Sequence, residues 1–281
     1  MDIIRTPEEM QQRALELKRA GRVVGLVPTM GFLHEGHLSL MRLARERCDV
    51  LVVSIFVNPT QFGPNEGLDA YPRDFGHDEA LCGQEGVDIV FYPEPVNMYA
   101  ADASVWVDEE SLSDVLCGAS RPGHFRGVCT VVAKLFNLVQ PDLAVFGEKD
   151  AQQLRIIERM VRDLDFPVEI VRGPIVREAD GLAMSSRNKH LSESQRGNAL
   201  CLRRSLDQAL ALFGQGERDA TVLRQAMADL IESVSGAEID YIEIVDDDSL
   251  ASVDEIKNDV LIALAVKIGN TRLIDNAVLR L

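Results

Sequence analysis

Residues 22–57, RVVGLVPTMGFLHEGHLSLMRLARERCDVLVVSIFV, decide the fold of this chain. The apolar runs at 22–27 and 49–57 are typical of buried strands, and the apolar spacing within 36–47 predicts a helix between them. A strand, a helix and a second strand within about 35 residues form a βαβ unit. The two strands are therefore expected to be parallel, with a right-handed crossover.

The same alternation continues along the chain. Further apolar runs predict strands at residues 87–92, 142–146 and 168–171. Helical spacing and end signals predict helices at residues 6–21, 128–139 and 151–164. Strands that alternate with helices indicate an α/β fold with a doubly wound, Rossmann-like parallel sheet.

The pattern changes after residue 192. Helices are predicted at 192–213 and 220–234, followed by strands at 239–245, 260–268 and 272–279. Gly269-Asn270 separates the last two strands and is a hairpin signal. We expect a first domain at residues 1–175 and a smaller C-terminal α+β domain with an antiparallel sheet at 176–281.

Composition excludes several classes of protein. The 281 residues contain 29 Lys and Arg against 45 Asp and Glu, a formal charge of −16, which disfavours binding to nucleic acid or to anionic membranes. No apolar stretch approaches the ~18 residues of a membrane span, and residues 1–12 contain no apolar signal core. Five scattered cysteines suggest reduced thiols. The chain is expected to be cytoplasmic and globular, with small-molecule partners.

The first candidate site is residues 28–37, PTMGFLHEGH, between the first strand and its helix. Gly31 and Gly36 permit a tight turn and close backbone approach, and the helix N-terminus favours an anion such as phosphate. His34 and His37 can add two donors to the same anion. The alternatives are a turn with two incidental histidines and a metal site, although no third ligand stands at a suitable spacing.

Three further segments carry polar groups. Residues 147–150, GEKD, form a second strand-to-helix junction, and residues 184–189, MSSRNK, can act as a mobile phosphate clamp. Asn58 and Gln61 follow the second strand and suit recognition of neutral hydroxyl groups. Each segment could instead be an ordinary polar turn or solvated loop. Residues 121–127, RPGHFRG, are either an anion site or a packing corner.

The motifs together resemble a known family. The H-x-x-H turn and the later Ser/Arg/Lys-rich loop resemble the HIGH and KMSKS arrangement of class I synthetase-like nucleotidyltransferases. More closely, the strings VPTMGFLHEGHLSL, FVNPTQFGPNE, YPRD, RPGHFRGVCTVV, FGEKDAQQL, DGLAMSSRN and TRLIDN resemble the pantothenate synthetase (pantoate–β-alanine ligase) family, in order from about residue 22 to the C-terminus.

The resemblance implies ATP-dependent condensation of pantoate with β-alanine to pantothenate. Pantoate attacks the α-phosphorus of Mg²⁺-bound ATP, and β-alanine then attacks the resulting pantoyl adenylate, with release of AMP and pyrophosphate. Mg²⁺ is expected to arrive with ATP rather than on a site built by the protein. A homodimer is also implied. The C-terminal domain, which carries the KMSKS-like loop, is expected to close over the nucleotide- and pantoate-binding domain.

The resemblance also assigns residues. Charge on the phosphates is stabilised by His34, His37, Lys149, Ser185, Ser186 and Arg187. The ATP pocket is formed by Met30, Gly31, Phe32, Leu33, His34, Glu35, Gly36, His37, Gly147, Glu148, Lys149, Asp150, Val176, Met184, Ser185, Ser186 and Arg187. Gln61 and Gln153 are expected to bind pantoate, with Gln61 also bordering the β-alanine site, and Asn58 is expected to contact substrate because of its position after the second strand.

Three other functions remain open from the sequence. The first is another nucleotidyltransferase that joins AMP to a phosphate ester, although no cation lies immediately beside residues 58–61. The second is a non-catalytic nucleotide sensor on the same fold, which would not need a converging set of phosphate donors. The third is an RNA-binding synthetase relative, disfavoured by the charge of −16.

Overall fold

A computed structural model describes residues 1–64 and 67–281. Residues 65 and 66, part of the polar loop that resembles the family, lie outside the described residues. The chain divides into two compact units. The first comprises residues 1–113, 118–148 and 153–174, and the second comprises 114–117, 149–152 and 175–281. The expected division into domains at 1–175 and 176–281 stays a prediction.

The secondary structure alternates through the first unit and then changes, as the sequence predicts. The strands are β1 (Asp2–Ile4), β2 (Val24–Thr29), β3 (Val50–Ile55), β4 (Ile89–Phe91), β5 (Leu143–Gly147), β6 (Glu169–Gly173), β7 (Ala237–Asp246), β8 (Val260–Ile268) and β9 (Thr271–Leu279). The helices are α1 (Pro7–Arg19), α2 (Glu35–Arg45), α3 (Phe75–Gln84), α4 (Pro95–Met98), α5 (Cys117–Ser120), α6 (His124–Val139), α7 (Ala151–Asp163), α8 (Glu193–Ala199), α9 (Cys201–Gly214) and α10 (Ala220–Glu232).

The first unit is built on a parallel six-stranded sheet with the order β1-β4-β3-β2-β5-β6. This confirms the doubly wound α/β prediction. The βαβ unit is also confirmed, because β2 and β3 pair in parallel from Val24 and Val50 to Thr29 and Ile55. β1 was not predicted, since three residues are too few to show a periodicity.

The boundaries of β2 differ from the prediction. The strand includes Pro28, which the apolar run at 22–27 stopped short of. A proline has no N–H to donate to a neighbouring strand. It is accommodated here because β2 pairs with β5 only at Gly25 and Leu26, before Pro28 is reached.

One face of the sheet packs against α2 and α3. Alternate strand residues, including Leu51, Val53 and Ile55, form one buried cluster with Met41 of α2 and Cys82 of α3. α1 and α6 contact each other, and α6 also contacts β2. The strands are buried on both faces, which explains why they appear in the sequence as nearly continuous apolar runs.

The second unit combines helices with a three-stranded antiparallel sheet in the order β7-β8-β9. This confirms the predicted α+β unit and the hairpin at Gly269-Asn270, where Gly269 has a φ of +59°. The prediction of one helix over 192–213 is wrong, because α8 and α9 are separated at Leu200. Gly197 and Asn198, which are weak helix formers, lie three and two residues before the break.

No helix in the described part of the chain is both long enough and apolar enough to cross a membrane.

Candidate active site

The predicted ligand-binding edge of the first unit lies where β2 and β5 end. β2 pairs with β3 on one side and with β5 on the other. In chain order, β3 is added on one side of β2, and β5 is added later on the other side. Open α/β sheets bind ligands beyond the carboxyl ends of their strands where the order reverses in this way. The turn at residues 30–34 and the junction at Gly147-Glu148 both follow this edge.

The turn after β2 is held by hydrogen bonds to its backbone. Thr29 Oγ1 donates to the Ser54 carbonyl over 2.8 Å and accepts from the Gly31 N–H over 3.2 Å. Gly31 has a φ of +79°, and a Cβ there would lie 2.8 Å from Asp78 Oδ2, so a larger residue does not fit. Phe32 also adopts a left-handed φ, +52°. Two successive left-handed residues turn the chain into α2.

Asp78, on α3, holds this turn by accepting hydrogen bonds from its backbone. Its carboxylate is 1% exposed, and its two oxygens accept from the N–H groups of Phe32 (2.8 Å) and Leu33 (2.7 Å). Burial raises the pKa of the Asp78 carboxyl, and the two backbone donors act in the opposite direction. The sequence analysis missed this residue. The available signal was its position four residues before Cys82, which places both on the buried face of α3.

The two histidines meet at the start of α2. His34 precedes the helix, and its N–H donates to Nδ1 of His37 over 3.3 Å, with the ring centroids 4.0 Å apart. A nitrogen that accepts a hydrogen bond carries no proton, so the proton of the neutral His37 ring is on Nε2. His37 is therefore held with an Nε2–H beside the helix N-terminus, a form that can donate to an anion such as phosphate.

The Glu35 side chain is engaged on the helix surface. Its carboxylate pairs with Arg42, which also binds Glu85 over 2.6 Å. The hydrogen bond from Arg42 lowers the pKa of Glu35. The Glu35 carboxylate is therefore already bonded within the protein.

Asn58 and Gln61 form a buried pair after β3. Asn58 Nδ2 donates to Gln61 Oε1 and to the Gly127 carbonyl, each over 3.1 Å. Asn58 Oδ1 accepts from the hydroxyls of Tyr99 (2.8 Å) and Thr60 (2.9 Å). Burial raises the pKa of Tyr99, so its hydroxyl remains a donor. Both ends of the Asn58 amide are thus bonded within the protein, and one of those bonds orients Gln61.

The RPGHFRG segment supports the same turn. His124 Nε2 accepts from Arg121 over 2.9 Å, and its Nδ1 therefore donates to the Gln61 carbonyl over 2.8 Å. A Cβ at Gly127 would lie 2.5 Å from the Thr60 carbonyl oxygen, so only glycine lets α6 approach this closely. Of the two roles considered from the sequence, the structure supports the packing corner.

The other predicted residues of the first unit are distributed along the same edge. Gln61 Nε2 donates to Met30 Sδ over 3.2 Å, which brings a predicted nucleotide contact next to a predicted pantoate contact. Gly147 ends β5, and Gln153 is a half-buried residue in the first turn of α7. Within residues 1–64 and 67–281, no three His, Cys, Asp or Glu side chains are grouped so as to hold a metal ion.

The clamp segment of the second unit follows a short hairpin. Met184 N–H donates to the Val176 carbonyl over 3.0 Å, and Arg177 bridges Ala183 in antiparallel fashion. At the tip, Arg196 binds Asp180 and Glu178 over 2.7 and 2.9 Å. The Arg196 hydrogen bond is the main cause of the lowered pKa of Asp180, and it also lowers that of Glu178 against the effect of burial.

The clamp residues themselves begin a 3₁₀ turn. Ser185 Oγ accepts from the Arg187 N–H over 3.3 Å, and Arg187 and Lys189 are exposed. Lys149 and Asp150 belong to the same unit, with 3.8 Å between Lys149 Nζ and Asp150 Oδ2. The Lys149 side chain is 19% exposed. The second unit thus contains the predicted lysine and the predicted phosphate clamp.

Comparisons with known proteins identify the family. The family model described as pantoate-beta-alanine ligase matches residues 2–278. The chain belongs to this family. Relatives of the ligase family include the pantothenate synthetases of Pelotomaculum thermopropionicum, 57% identical, and Moorella thermoacetica, 55% identical, each over 99% of both chains.

Solved structures of the ligase family have the same fold. The pantothenate synthetase of Thermus thermophilus superposes with a TM-score of 0.93 at 44% identity, over 99% of both chains. The pantoate-beta-alanine ligase of Francisella tularensis, solved with beta-gamma ATP and beta-alanine, gives a TM-score of 0.77 at 31% identity, over 99% of this chain and 97% of that one. The present chain is accordingly an ATP-dependent pantoate–β-alanine ligase, an enzyme of pantothenate biosynthesis.

Proposed function

We propose that this ligase works through a pantoyl adenylate. A pantoate carboxylate oxygen attacks the α-phosphorus of ATP, and pyrophosphate leaves. The amine of β-alanine then attacks the acyl carbon of the adenylate, so the amide bond forms, AMP leaves and the amine loses a proton. The first step needs no general base, because a carboxylate is already a nucleophile. It needs alignment of the reactants and stabilisation of the charge that develops on the phosphates.

The observation that carries this proposal is the bond from the His34 N–H to His37 Nδ1. It supports an Nε2–H donor at the start of α2, beside the positive end of the helix dipole. Such a set stabilises a phosphate without a proton transfer. Adenosine binding alone would require no donor of this kind, so the arrangement favours an enzyme over a nucleotide sensor.

We also propose that the second unit supplies phosphate ligands. Lys149 offers a point charge, Arg187 a bidentate fork, and Ser185 and Ser186 hydroxyl donors. With a chain charge of −16, cations that act on a polyanion have to be concentrated locally, which supports these positions. The ATP pocket assigned to Val176, Met184 and the residues around them is part of the same proposal. Closure of the C-terminal domain stays a prediction, tested by small-angle scattering with and without an adenylate analogue.

Gln61 and Gln153 are proposed to bind pantoate, with Gln61 bordering the β-alanine site. Asn58, predicted to contact substrate, is proposed instead to act through Gln61, since its amide is bonded at both ends to protein groups. A pre-oriented Gln61 loses little side-chain freedom when substrate binds.

Three further features are proposed. Mg²⁺ enters as the Mg-ATP substrate, held mainly by phosphate oxygens and water. The ligase is a homodimer, as the family resemblance implies, which sedimentation at several concentrations would test. It works in the cytoplasm, which is consistent with free thiols at all five cysteines, Cys48, Cys82, Cys117, Cys129 and Cys201.

Isotope transfer tests the adenylate route. Pantoate labelled with ¹⁸O in its carboxylate is incubated with Mg-ATP and β-alanine, and the products are analysed by mass spectrometry. The proposed route leaves one labelled oxygen on AMP, because the oxygen that attacks the α-phosphorus stays with it when the amide forms. Label in inorganic phosphate, accompanied by ADP, would instead establish an acyl phosphate and refute the proposal.

The role of His37 is tested by two substitutions. His37→Ala removes both ring nitrogens, and turnover is expected to fall ~100–1000-fold, the usual effect of losing one transition-state donor. His37→Asn keeps an acceptor near the position of Nδ1 for the His34 N–H, but provides no donor at the position of Nε2. A similar loss in both variants, with unchanged melting temperatures, assigns the effect to Nε2–H. Near-normal turnover of His37→Asn would remove Nε2 from the mechanism.

A further inference from the structure

The strand β9 carries two adjacent buried polar residues to which the proposed chemistry gives no role. Asp275 is 2% exposed and Asn276 is 5% exposed, within the string TRLIDN. Buried polar side chains in a sheet are costly unless they are bonded, so their partners indicate what they do. Both sets of partners lead to segments that the proposed function uses.

Asp275 holds the base of the hairpin that leads to the clamp. Arg177 donates to it through two nitrogens, Nη1 to Oδ2 over 2.7 Å and Nη2 to Oδ1 over 2.9 Å. Arg177 Nη1 also donates to the Gly181 carbonyl over 3.1 Å, across the hairpin. Because Met184 closes this hairpin on Val176, the clamp residues start directly from the part that Asp275 fixes.

Asn276 holds the segment that carries the lysine. Its Nδ2 donates to the Lys149 carbonyl over 2.9 Å, and its own N–H donates to Asp275 Oδ1 over 2.8 Å. Lys149 lies 127 residues away in sequence, in the short segment 149–152 that belongs to the second unit. Neighbouring residues of a strand point to opposite faces, so one dipeptide can reach both segments.

We propose that Asp275 and Asn276 are positioning residues, which together fix Lys149 and the clamp at residues 184–187 in one geometry. This inference rests on the proposed phosphate role of Lys149 and Arg187. A buried carboxylate bonded twice to one arginine is rigid, and a bidentate pair specifies direction as well as distance. The dipeptide touches neither substrate nor nucleotide in this role. It sets where the ammonium and the guanidinium stand before ATP binds.

A double-mutant cycle on Asn276 and Lys149 tests the inference. Lys149→Met removes the ammonium but leaves the backbone carbonyl that Asn276 bonds. Asn276→Ala alone is expected to lower kcat for pantoate-dependent AMP formation ~10-fold, with KM for ATP little changed, because misplacement affects the transition state most. In the Lys149→Met background the same substitution is expected to change kcat less than ~2-fold, since the group being positioned is gone.

Two further variants keep the test interpretable. Asn276→Asp has nearly the same shape but replaces the donor by an acceptor, and it serves if Asn276→Ala does not fold. Asn198→Ala is the matched control, because Asn198 Nδ2 also donates to a backbone carbonyl in the same unit, that of Ser235, over 2.8 Å. Its kcat is expected to be unchanged. Melting temperature and active-site concentration are measured for every variant.

A second double-mutant cycle tests Asp275 and the clamp. In it Arg177→Lys is measured in the wild type and in the Arg187→Ala variant. Lysine keeps the charge opposite Asp275 but loses the bidentate fork, so kcat is expected to fall in the wild type and to stay level without Arg187.

The outcomes separate the two proposals. If Lys149→Met keeps full kcat, the phosphate role of Lys149 is wrong, and the positioning role falls with it. If Lys149→Met is impaired but Asn276→Ala is normal, the positioning role alone is wrong. If the two substitutions lower kcat independently and their effects multiply, Asn276 acts only on the fold.

Discussion

Asp78→Asn separates the effect of the turn at residues 30–34 on stability from the function proposed for it. The substitution preserves the shape of the side chain and removes its charge. One oxygen remains as an acceptor, but the other becomes an NH₂ group that faces a backbone N–H. Either Phe32 or Leu33 therefore loses its acceptor. Phe32 is the more vulnerable, because its φ of +52° depends on external restraint.

The two effects on stability oppose each other. A backbone bond to a charged acceptor contributes about 1.5–3 kcal/mol, and one such bond is lost. Against this, the wild-type carboxylate is buried, which raises its pKa above the unfolded value of 3.8. The folded protein therefore keeps this proton up to a higher pH than the unfolded chain does. The contribution of the group to the free energy of unfolding is fully present below pH 3.8 and is lost as the pH rises through the folded pKa. Asparagine avoids this loss.

We therefore expect the unfolding free energy of Asp78→Asn to stay within ~1 kcal/mol of wild type at pH 7. The free energy of unfolding of the variant should rise relative to that of the wild type as the pH increases from 3.8. Turnover is expected to fall ~100-fold, because the turn determines the position of His37 in the first turn of α2, and small displacements of a catalytic group, as His37 is proposed to be, are costly. Urea denaturation at pH 4 to 8 and steady-state AMP formation measure the two quantities.

Asp102→Asn is the control, since it removes the same charge from an exposed position in the first unit. It should leave both turnover and the pH dependence of stability unchanged. Two results would refute the reasoning about Asp78: normal turnover in Asp78→Asn, or a loss of stability that grows rather than shrinks as pH rises.

Two more substitutions test the support of Gln61. Gly127→Ala puts a Cβ 2.5 Å from the Thr60 carbonyl oxygen, and is expected to cost about 1–3 kcal/mol of stability and to raise KM for pantoate; an unchanged melting temperature would contradict the close packing. Tyr99→Phe removes the donor 2.8 Å from Asn58 Oδ1, and should cost about 0.5–1.5 kcal/mol and raise KM for pantoate. Tyr92→Phe, a hydroxyl deletion elsewhere in the first unit, should leave KM for pantoate unchanged. Equal effects of Tyr99→Phe and Tyr92→Phe on KM would contradict a role of Tyr99 through Asn58.

The sequence predicted the sheet well because its strands are buried on both faces. The apolar run at 49–57, for example, contains the strand Val50–Ile55 and extends at most two residues past its ends. The prediction failed where no run exists, as in the three residues of β1. It also failed at Leu200, where the apolar periodicity continues although the helix is interrupted. Periodicity reports which side of an element is buried, and it is insensitive to a single irregular residue.

The candidate site was predictable only in part, because its geometry depends on bonds between distant segments. The turn at 29–37 has a local signature of glycines, a strand end and a helix start. Asp78, which holds that turn, lies 45 residues from Leu33, and Asn276 lies 127 residues from Lys149. The sequence around Asp78 or Asn276 does not indicate which distant residue it bonds. Without an expected fold, a buried aspartate is indistinguishable from a solvated one.

Asn58 shows why residue type does not distinguish a ligand contact from a support. An amide at the end of a central strand suits hydroxyl recognition, and that reasoning applies equally to Asn58 and Gln61. The difference arises from Tyr99, 41 residues away, and Gly127, 69 residues away, which occupy both ends of the Asn58 amide. Gln61 is then bonded through Oε1 to Asn58 and through Nε2 to the soft sulfur of Met30, a weak acceptor that a substrate oxygen can replace at little cost. A side-chain amide thus acts as a support at Asn58 and is proposed to act as an exchangeable donor three residues later, at Gln61.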